Sequence, residues 1–252
     1  IFIGYLFQQL YNTMDALIVG NFLGQNALAA VTGVGSLIFL FVGFFNGFAT
    51  GASVIIANAI GAQDEERTKK AVYTTATFGM ILGFIMTVSG YLLTDQMLRW
   101  MGLPIEVFSL SSIYLKIYFL GGFSLVLYNM LVGIIRAGGD AKHPLYYLIV
   151  SSILNVILDV VFITVFKMGV AGAAWATIIS EFASMFLCAL QLAREESILH
   201  ISWTHLSLDF ENLKQICVYG LPTGLQGCVI DFANVMIQSY INSFGAAAIA
   251  GI

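Results

Sequence analysis

The chain has 252 residues, of which 59% are hydrophobic and 10% are charged, and its net charge is −4. A soluble domain carries about 25% charged residues, so the composition excludes an ordinary soluble protein and predicts an integral membrane protein embedded in a lipid bilayer. No block of like positive charges occurs, which argues against nucleic acid as a partner. The three cysteines lie in or beside apolar runs without metal-ligand spacing, and the sequence predicts no cofactor.

The apolar runs predict helices that cross a membrane. A transmembrane helix needs about 20 mostly apolar residues, whereas a barrel strand needs about half as many. The sequence contains seven runs of helical length, in chain order at 1–20, 33–59, 71–94, 108–135, 145–166, 170–193 and 215–241. The predicted fold class is therefore an all-α polytopic membrane protein.

Lysine and arginine are shared unevenly between the connectors of these spans. The connectors after spans one, three and five carry only Arg99 and Lys167. Those after spans two, four and six carry seven basic residues, namely Arg67, Lys69, Lys70, Arg136, Lys142, Arg194 and Lys214. Because cytoplasmic loops carry the excess of positive charge, the even-numbered connectors and the N-terminal end are predicted to be cytoplasmic.

Two short stretches repeat. NFLGQNALAAV (21–31) aligns without gaps with NSFGAAAIAGI (242–252) at an offset of 221 positions. Six predicted spans separate the copies, so both have the same orientation, as in transporters whose halves are related by an axis along the membrane normal.

The repeat predicts a domain organisation. We expect a six-helix transmembrane lobe over 1–200, a cytoplasmic inter-lobe linker over 201–214, and over 215–252 the start of a second lobe. Under this expectation the chain is a fragment that has lost its first residues, and the rest of the second lobe is its natural partner.

Five ionisable residues fall within the predicted spans: Asp15, Lys116, Asp159, Glu181 and Asp231. A charge at the bilayer centre costs at least about 2.5–3.5 kcal/mol, so each one needs a partner, a cavity or a proton. These residues are therefore the candidates for a functional site.

Asp159 is the deepest carboxyl group by position, 14 residues after the start of its span, and Asn155 lies one turn earlier on the same helical face. One interpretation is a hydrogen-bonded pair that holds helices together. The other is a site that takes up and releases a proton or a cation. Both remain open from the residues alone.

The other candidates carry alternatives of their own. Asp15 follows Gln8 and Asn12 at helical spacing, but its place near the end of a span also suits an interfacial residue. Lys116 is predicted to lie near the start of its span, from where a lysine extends to the interface. Glu181 lies one turn from Thr177 in the middle of span six.

Span two contains Gly43, Gly47 and Gly51, a GxxxGxxxG pattern that predicts close packing against another helix.

Catalytic signatures are missing. The sequence has no HExxH, no GxSxG and no P-loop, so we expect a protein that is not an enzyme. Without a P-loop, any pumping must draw on an ion gradient or an external ATPase. AGGD (137–140) is one residue short of the GxGD of intramembrane aspartyl proteases. Together with two intramembrane aspartates, it keeps that protease class as a remote alternative.

Several stretches resemble the multidrug and toxic compound extrusion (MATE) family over essentially the whole chain. They are MDALIVGNFLGQNALAAV (14–31), SVIIANAIGAQDEERTKKA (53–71), IIRAGGDAKHPLYYLIVSSILNVILDVVFI (134–163), MGVAGAAWATIIS (168–180) and YGLPTGLQGCVIDFANVMIQSYINSFGAAAIAGI (219–252). The resemblance implies twelve helices in two six-helix lobes of a cell-membrane antiporter. Such a protein exports amphipathic organic cations in exchange for H⁺ or Na⁺ by alternating access.

The resemblance also assigns residues. It implies a proton- or sodium-coupling site at Asp15, Asn155 and Asp159, with Tyr114 and Thr177 as further members of the network. The family's acidic residue of helix seven falls on Asp231, as Asp where many members have Glu. Glu181 and Lys116 are secondary candidates.

The first alternative to this antiporter is a related flippase for lipid-linked oligosaccharides. Its large anionic cargo would favour a cavity lined by several Arg or Lys, and Lys116 is the one basic residue within the predicted spans.

Overall fold

The computed structural model describes residues 2–194, 197–204, 206–245 and 249, with side chains from Thr13 onward. Over these residues it is helical and contains no strand. The helices are α1 (Phe2–Leu23), α2 (Gln25–Thr32), α3 (Gly35–Gly61), α4 (Glu65–Trp100), α5 (Ile105–Leu120), α6 (Gly122–Ala137), α7 (Lys142–Val160) followed by a π-helical turn (Val161–Val165), α8 (Val170–Arg194) and α9 (Phe210–Asn242).

The predicted all-α membrane fold is confirmed. Among the described residues, five helices are long and apolar enough to cross a membrane: α3 together with α2, α4, α7 with its π turn, α8, and α9. The pair α5 and α6 makes a sixth if it counts as one bent span. The first predicted span coincides with α1, whose described apolar part is Thr13–Leu23.

The fourth predicted span is not one continuous helix. It divides into α5 and α6, which are bent by 48° at Gly121. The Gly121 N–H bonds to the carbonyl of Tyr118 at 3.0 Å, an i→i−3 contact that tightens the last turn of α5. A Cβ at position 121 would come within 2.7 Å of Cγ1 of Ile178, so the glycine lets α8 approach the bend.

Two helices begin with an aspartate as their N-terminal cap, and a third has an aspartate just before its cap. Asp64 accepts a hydrogen bond from the backbone N–H of Arg67 at 3.0 Å, and α4 therefore begins before the third predicted span, which starts at 71. Asp209 accepts from the N–H of Asn212 at 2.8 Å, which begins α9 at Phe210. Asp140 precedes Ala141, the N-cap of α7, and its Oδ1 accepts from the backbone N–H groups of Lys142 and His143. Such hydrogen bonds satisfy backbone donors that have no partner within the helix.

The chain between α8 and α9 lies along the first turns of α4. The N–H of Ser202 donates to the Tyr73 hydroxyl at 3.1 Å, and the Thr77 hydroxyl donates to the Ser207 carbonyl at 3.1 Å. Ile201 is fully buried. The connectors that carry most of the basic residues therefore meet at one end of the bundle.

The predicted glycine contact is found between α3 and α9. A Cβ at Gly47 would come within 2.2 Å of the backbone nitrogen of Gly224, and one at Gly51 within 2.7 Å of that of Gly220. The two backbones touch because neither helix has a side chain at these positions.

The two copies of the repeat contain turns of the same conformation. Gly24 and Gly245 have positive φ angles of 87° and 91°, a conformation that favours glycine. The N–H of Leu28 bonds to the carbonyl of Gly24 as that of Ile249 bonds to that of Gly245, at 3.1 and 3.3 Å. Residues 246–248 and 250–252 of the second copy lie outside the described part.

Candidate functional site

The buried acidic pair joins α1 to α7. The side chain of Asp159 is fully buried and that of Asp15 is 8% exposed. Their carboxyl groups lie within hydrogen-bonding reach of each other. Asp15 is therefore not a solvent-exposed interfacial residue. The side chains of Gln8 and Asn12, which precede it in the sequence, lie outside the described part.

Asn155 connects the acidic pair to α8. It is fully buried. In the amide orientation that satisfies both of its polar groups, Nδ2 donates to Oδ2 of Asp159 at 3.0 Å and Oδ1 accepts from the backbone N–H of Thr177 at 3.2 Å. The Thr177 hydroxyl donates to the carbonyl of Ala173 at 3.1 Å. The structure thus brings Asp15, Asn155, Asp159 and Thr177 together where α1, α7 and α8 meet.

The electrostatics of this cluster call for a positive charge. Two ionised carboxylates in contact repel each other strongly in a medium of low dielectric constant. Oδ1 of Asp15 and Oδ1 of Asp159 are both buried and have no hydrogen-bond partner in the described part of the chain. The atoms that could bind a cation here are oxygens, the ligand type that hard cations prefer. A proton shared by the carboxyl groups or a small hard cation between them fits this arrangement.

Tyr114 and Glu181 lie on the neighbouring α5–α8 contact. Tyr114 is buried, and its ring is stacked on that of Tyr118 with centroids 6.4 Å apart. The carboxyl group of the half-buried Glu181 lies within hydrogen-bonding reach of the Tyr118 hydroxyl. Since Glu181 is one turn beyond Thr177, this contact lies next to the acidic pair along α8.

Lys116 does not lie near the start of a span, as its position in the sequence had suggested. It is inside α5, and its Nζ bonds to Oδ2 of Asp95 on α4 at 2.6 Å. The hydroxyl of Ser112 donates to the other oxygen of Asp95 at 2.6 Å. Its ammonium group therefore pairs with Asp95 and not with the acidic pair.

Asp231 lies on the α3–α9 contact. It is half-buried, and a Cβ at Gly43 would come within 2.6 Å of its Oδ2. The structure thus assigns it to a different helix pair from Asp15 and Asp159.

Two features of the site have no counterpart in the sequence analysis. Ser151 lies one turn before Asn155 on the same face, and its hydroxyl donates to the carbonyl of Ser180 at 2.8 Å. Extending the i, i+4 spacing backwards would have found it. The π-helical turn Val161–Val165 directly follows Asp159. π-helical turns are rare, and those that occur are often found at functional sites. The apolar sequence of this turn gives no signal that predicts it.

The aspartate of AGGD has a structural role. Asp140 accepts hydrogen bonds from the backbone N–H groups of Lys142 and His143, from the ring of His143, and from Nε2 of Gln191 at 3.2 Å. Partial burial raises the pKa of the Asp140 carboxyl, but these hydrogen bonds outweigh the burial and hold the pKa below its ordinary value. An ionised aspartate that is bonded to the start of a helix outside the spans does not fit the role of a catalytic aspartate.

Comparison with known proteins decides the family. The sequence model of the MatE family matches residues 1–161. The chain belongs to the MATE family. Members of this family are transporters and not enzymes, so the aspartyl protease alternative is excluded.

The relatives agree with this membership. Probable multidrug resistance protein YoeA of Bacillus subtilis is 33% identical, over 96% of this chain and 54% of its own length. Multidrug export protein MepA of Staphylococcus saprophyticus is 27% identical, over 98% of this chain and 55% of its own. A solved multidrug resistance MATE transporter in its inward-facing conformation matches with a TM-score of 0.89 at 30% identity. The match covers 96% of this MATE chain and 56% of the solved chain. The chain spans about half the length of these relatives.

Proposed function

We propose that this MATE chain forms part of an antiporter that exports amphipathic organic cations across the cell membrane in exchange for H⁺ or Na⁺. The observation that carries the proposal is the contact between the buried carboxyl groups of Asp15 and Asp159, with Asn155 bonded to Asp159. Intramembrane carboxyl groups of this kind mark ion and proton pathways.

The coupling follows from competition for negative charge. A proton or Na⁺ held by Asp15, Asn155 and Asp159 neutralises the pair, and a cationic substrate is attracted only when the pair is charged. Binding of the ion drives the cycle if its affinity differs between the inward-open and outward-open states. Tyr114 and Thr177 complete the polar wall, with Glu181 beside them.

The substrate class and the remaining partner rest on the relatives. The names of YoeA and MepA connect those proteins with multidrug resistance and multidrug export. Alternating access needs two lobes that rock against each other. Residues 1–200 are proposed as the first lobe, 201–214 as the linker and 215–252 as the start of the second, which would add Asp231 to the central cavity.

The flippase alternative has less support. Recognition of an anionic lipid-linked sugar calls for unpaired basic groups in the cavity. Lys116, the one basic residue in the predicted spans, is bonded to Asp95.

The test is transport driven by each ion alone. Everted membrane vesicles from cells that produce this chain together with a second lobe are incubated with a fluorescent organic cation such as ethidium, and a proton gradient and a sodium gradient are imposed separately. We expect one gradient to drive movement of the dye and an ionophore for that ion to stop it. If neither gradient moves the dye while the protein is present in the membrane, the antiport proposal is wrong.

A further inference from the structure

An apolar crevice of about 370 Å³ lies between α4, α6 and α8, away from the acidic pair. This volume is at the lower end of the range of small-molecule sites. Phe186 at its rim is 54% exposed, so the crevice opens on the outer surface of the bundle. Its walls are formed by Met80, Phe123, Leu127, Met185, Phe186, Ala189, Leu190, Ala193 and Trp203.

The space exists because α8 has small residues there. Ala189 and Ala193 lie one turn apart on the wall, and the buried Leu127 of α6 forms the floor behind them. A larger side chain at either alanine would fill the space.

Trp203 is the part of the wall that comes from the segment between α8 and α9. The hydrogen bonds of Ser202 to Tyr73 and of Ser207 to Thr77 hold this segment on α4. Trp203 therefore closes the crevice at the end of the bundle where α8 finishes. Tryptophan is enriched at that level of a membrane, between hydrocarbon and headgroups.

Arg194 follows the crevice along α8. Phe186, Leu190 and Arg194 are spaced by four residues and share one helical face. Arg194 is exposed and makes no ion pair with another residue of the described part of the chain. The same face of α8 therefore carries the apolar wall of the crevice and, one turn further on, a guanidinium group. A guanidinium group binds phosphate oxygens strongly.

We propose that this crevice binds one acyl chain of a zwitterionic phospholipid, with the lipid phosphate at Arg194. The crevice is lined by apolar residues, opens beside the exposed Phe186, and ends next to Trp203 and Arg194, which matches one lipid tail joined to one phosphate. In the sequence Arg194 is followed by Glu195 and Glu196, and two acidic residues argue against a headgroup with a net negative charge. The site is independent of the ion-coupled transport proposed above.

The test uses the 252-residue chain in liposomes that contain phosphatidylethanolamine with a photoactivatable diazirine near the end of one acyl chain. After irradiation, mass spectrometry of proteolytic peptides locates the crosslinks. We expect them to concentrate on the α6 and α8 segments that form the crevice. Ala189→Phe should abolish these crosslinks, because the ring occupies the space of the lipid tail. Arg194→Gln should reduce the amount of phosphatidylethanolamine that stays bound through detergent washing.

The matched control is Val229→Phe on α9, which adds the same ring at a position that is 73% exposed and should leave the crosslinks unchanged. Arg99→Gln, at the exposed end of α4, is the control for the charge. Should Ala189→Phe fail to give monodisperse protein, Ala193→Leu fills the same space with a smaller change. Crosslinks spread evenly over the exposed faces of α4, α8 and α9, or persisting in the filled variants, would overturn the lipid site. Equal retention by Arg194→Gln and the wild type would overturn the phosphate contact.

Discussion

At the scale of single residues, Asn155 and Asp159 differ in what they can contribute. Both are fully buried on one face of α7. The Asn155 amide has a partner for each of its groups, Asp159 on one side and the backbone of Thr177 on the other. One oxygen of Asp159 accepts from the Asn155 amide, and the other has no hydrogen-bond partner in the described part of the chain. The carboxyl group of Asp15 lies next to it. The asparagine therefore holds the helices and positions Asp159, while the aspartate can change its charge.

This difference gives an ordered mutational prediction. Asp159→Asn keeps the shape and removes the charge, so we expect normal membrane insertion and abolished ion-coupled export. Asn155→Ala should cause a smaller loss, since it deletes hydrogen bonds worth about 1 kcal/mol each. Asp15→Asn should fall between the two. Export is measured in vesicles and divided by the amount of monodisperse protein.

Glu106→Gln is the control, because it makes the same chemical change at an exposed position. A purely structural pair would give another order, in which Asp159→Asn exports normally and Asn155→Ala and Asp159→Ala both reduce the amount of folded protein.

The sequence could predict part of this site. Asn155 and Asp159 were recognisable from their spacing within one apolar run, because helical periodicity is a local property. The meeting of Asp15 with Asp159 depends on how α1 packs against α7, which no local pattern encodes. The partner of Lys116 could not be predicted for a related reason, because its pairing with Asp95 depends on how α5 packs against α4.

At the scale of helices, the contact of α3 with α9 depends on backbones that touch. Gly47 and Gly51 of α3 lie against Gly224 and Gly220 of α9. Small residues let helices approach closely and gain van der Waals contacts where hydrocarbon provides no hydrophobic driving force. The GxxxGxxxG pattern predicted such a contact, but not which helix is the partner.

Gly47→Ala should therefore destabilise the protein. The new Cβ would lie 2.2 Å from the backbone nitrogen of Gly224, and a backbone cannot move aside as a side chain can. We expect a loss of about 1–3 kcal/mol, typical of overpacking, measured as a lower Tm in detergent.

Gly35→Ala is the matched control on the same helix, since its Cβ would have nothing within 4 Å. Equal Tm values for the two variants would show that α3 and α9 do not pack this closely.

The hydrogen bonds of Asp140 at the start of α7 give a pH-dependent prediction. Asp140→Ala removes the acceptor for two backbone N–H groups and the contact with Gln191, and should cost about 1 kcal/mol at pH 7. Because the folded pKa lies below the ordinary value of 3.8, the contribution of the carboxylate is present above that value and is lost as the pH falls below it. The Tm difference between the wild type and the variant should therefore shrink below pH 3.8. A difference that does not change with pH would mean that ionisation of Asp140 contributes nothing.

At the scale of the whole molecule, charge separates the two ends of the bundle. Segments from three basic connectors meet at one end, where Tyr73 binds Ser202 and Asp140 binds Gln191. At the other end, Arg99 lies in the last turn of α4 and Lys167 lies in the connector between α7 and α8. The positive-inside rule therefore predicts that the first end is cytoplasmic.

Cysteine labelling tests this orientation. In a chain whose three cysteines are replaced by alanine, Arg99→Cys should react in whole cells with a maleimide that cannot cross membranes, and Arg67→Cys should not. Both positions are exposed, so labelling of position 67 after permeabilisation is the control. The opposite pattern of labelling would reverse the predicted topology.

The equivalent turns at Gly24 and Gly245 have a consequence for the distribution of charge. The offset that aligns these glycines also pairs Asp15 with Met236 of α9, and Asp231 with Leu10 of α1. The turns occupy equivalent positions in the two copies, but the acidic residues do not. The position equivalent to Asp15 lies five residues from Asp231, or about 7.5 Å along a helix. If the protein descends from two equal halves, the acidic residues of α1 and α9 no longer occupy equivalent positions. One acidic residue then lies at each of two depths. Under the antiport proposed above, an ion and a cationic substrate would therefore meet negative charge at two different depths of the membrane.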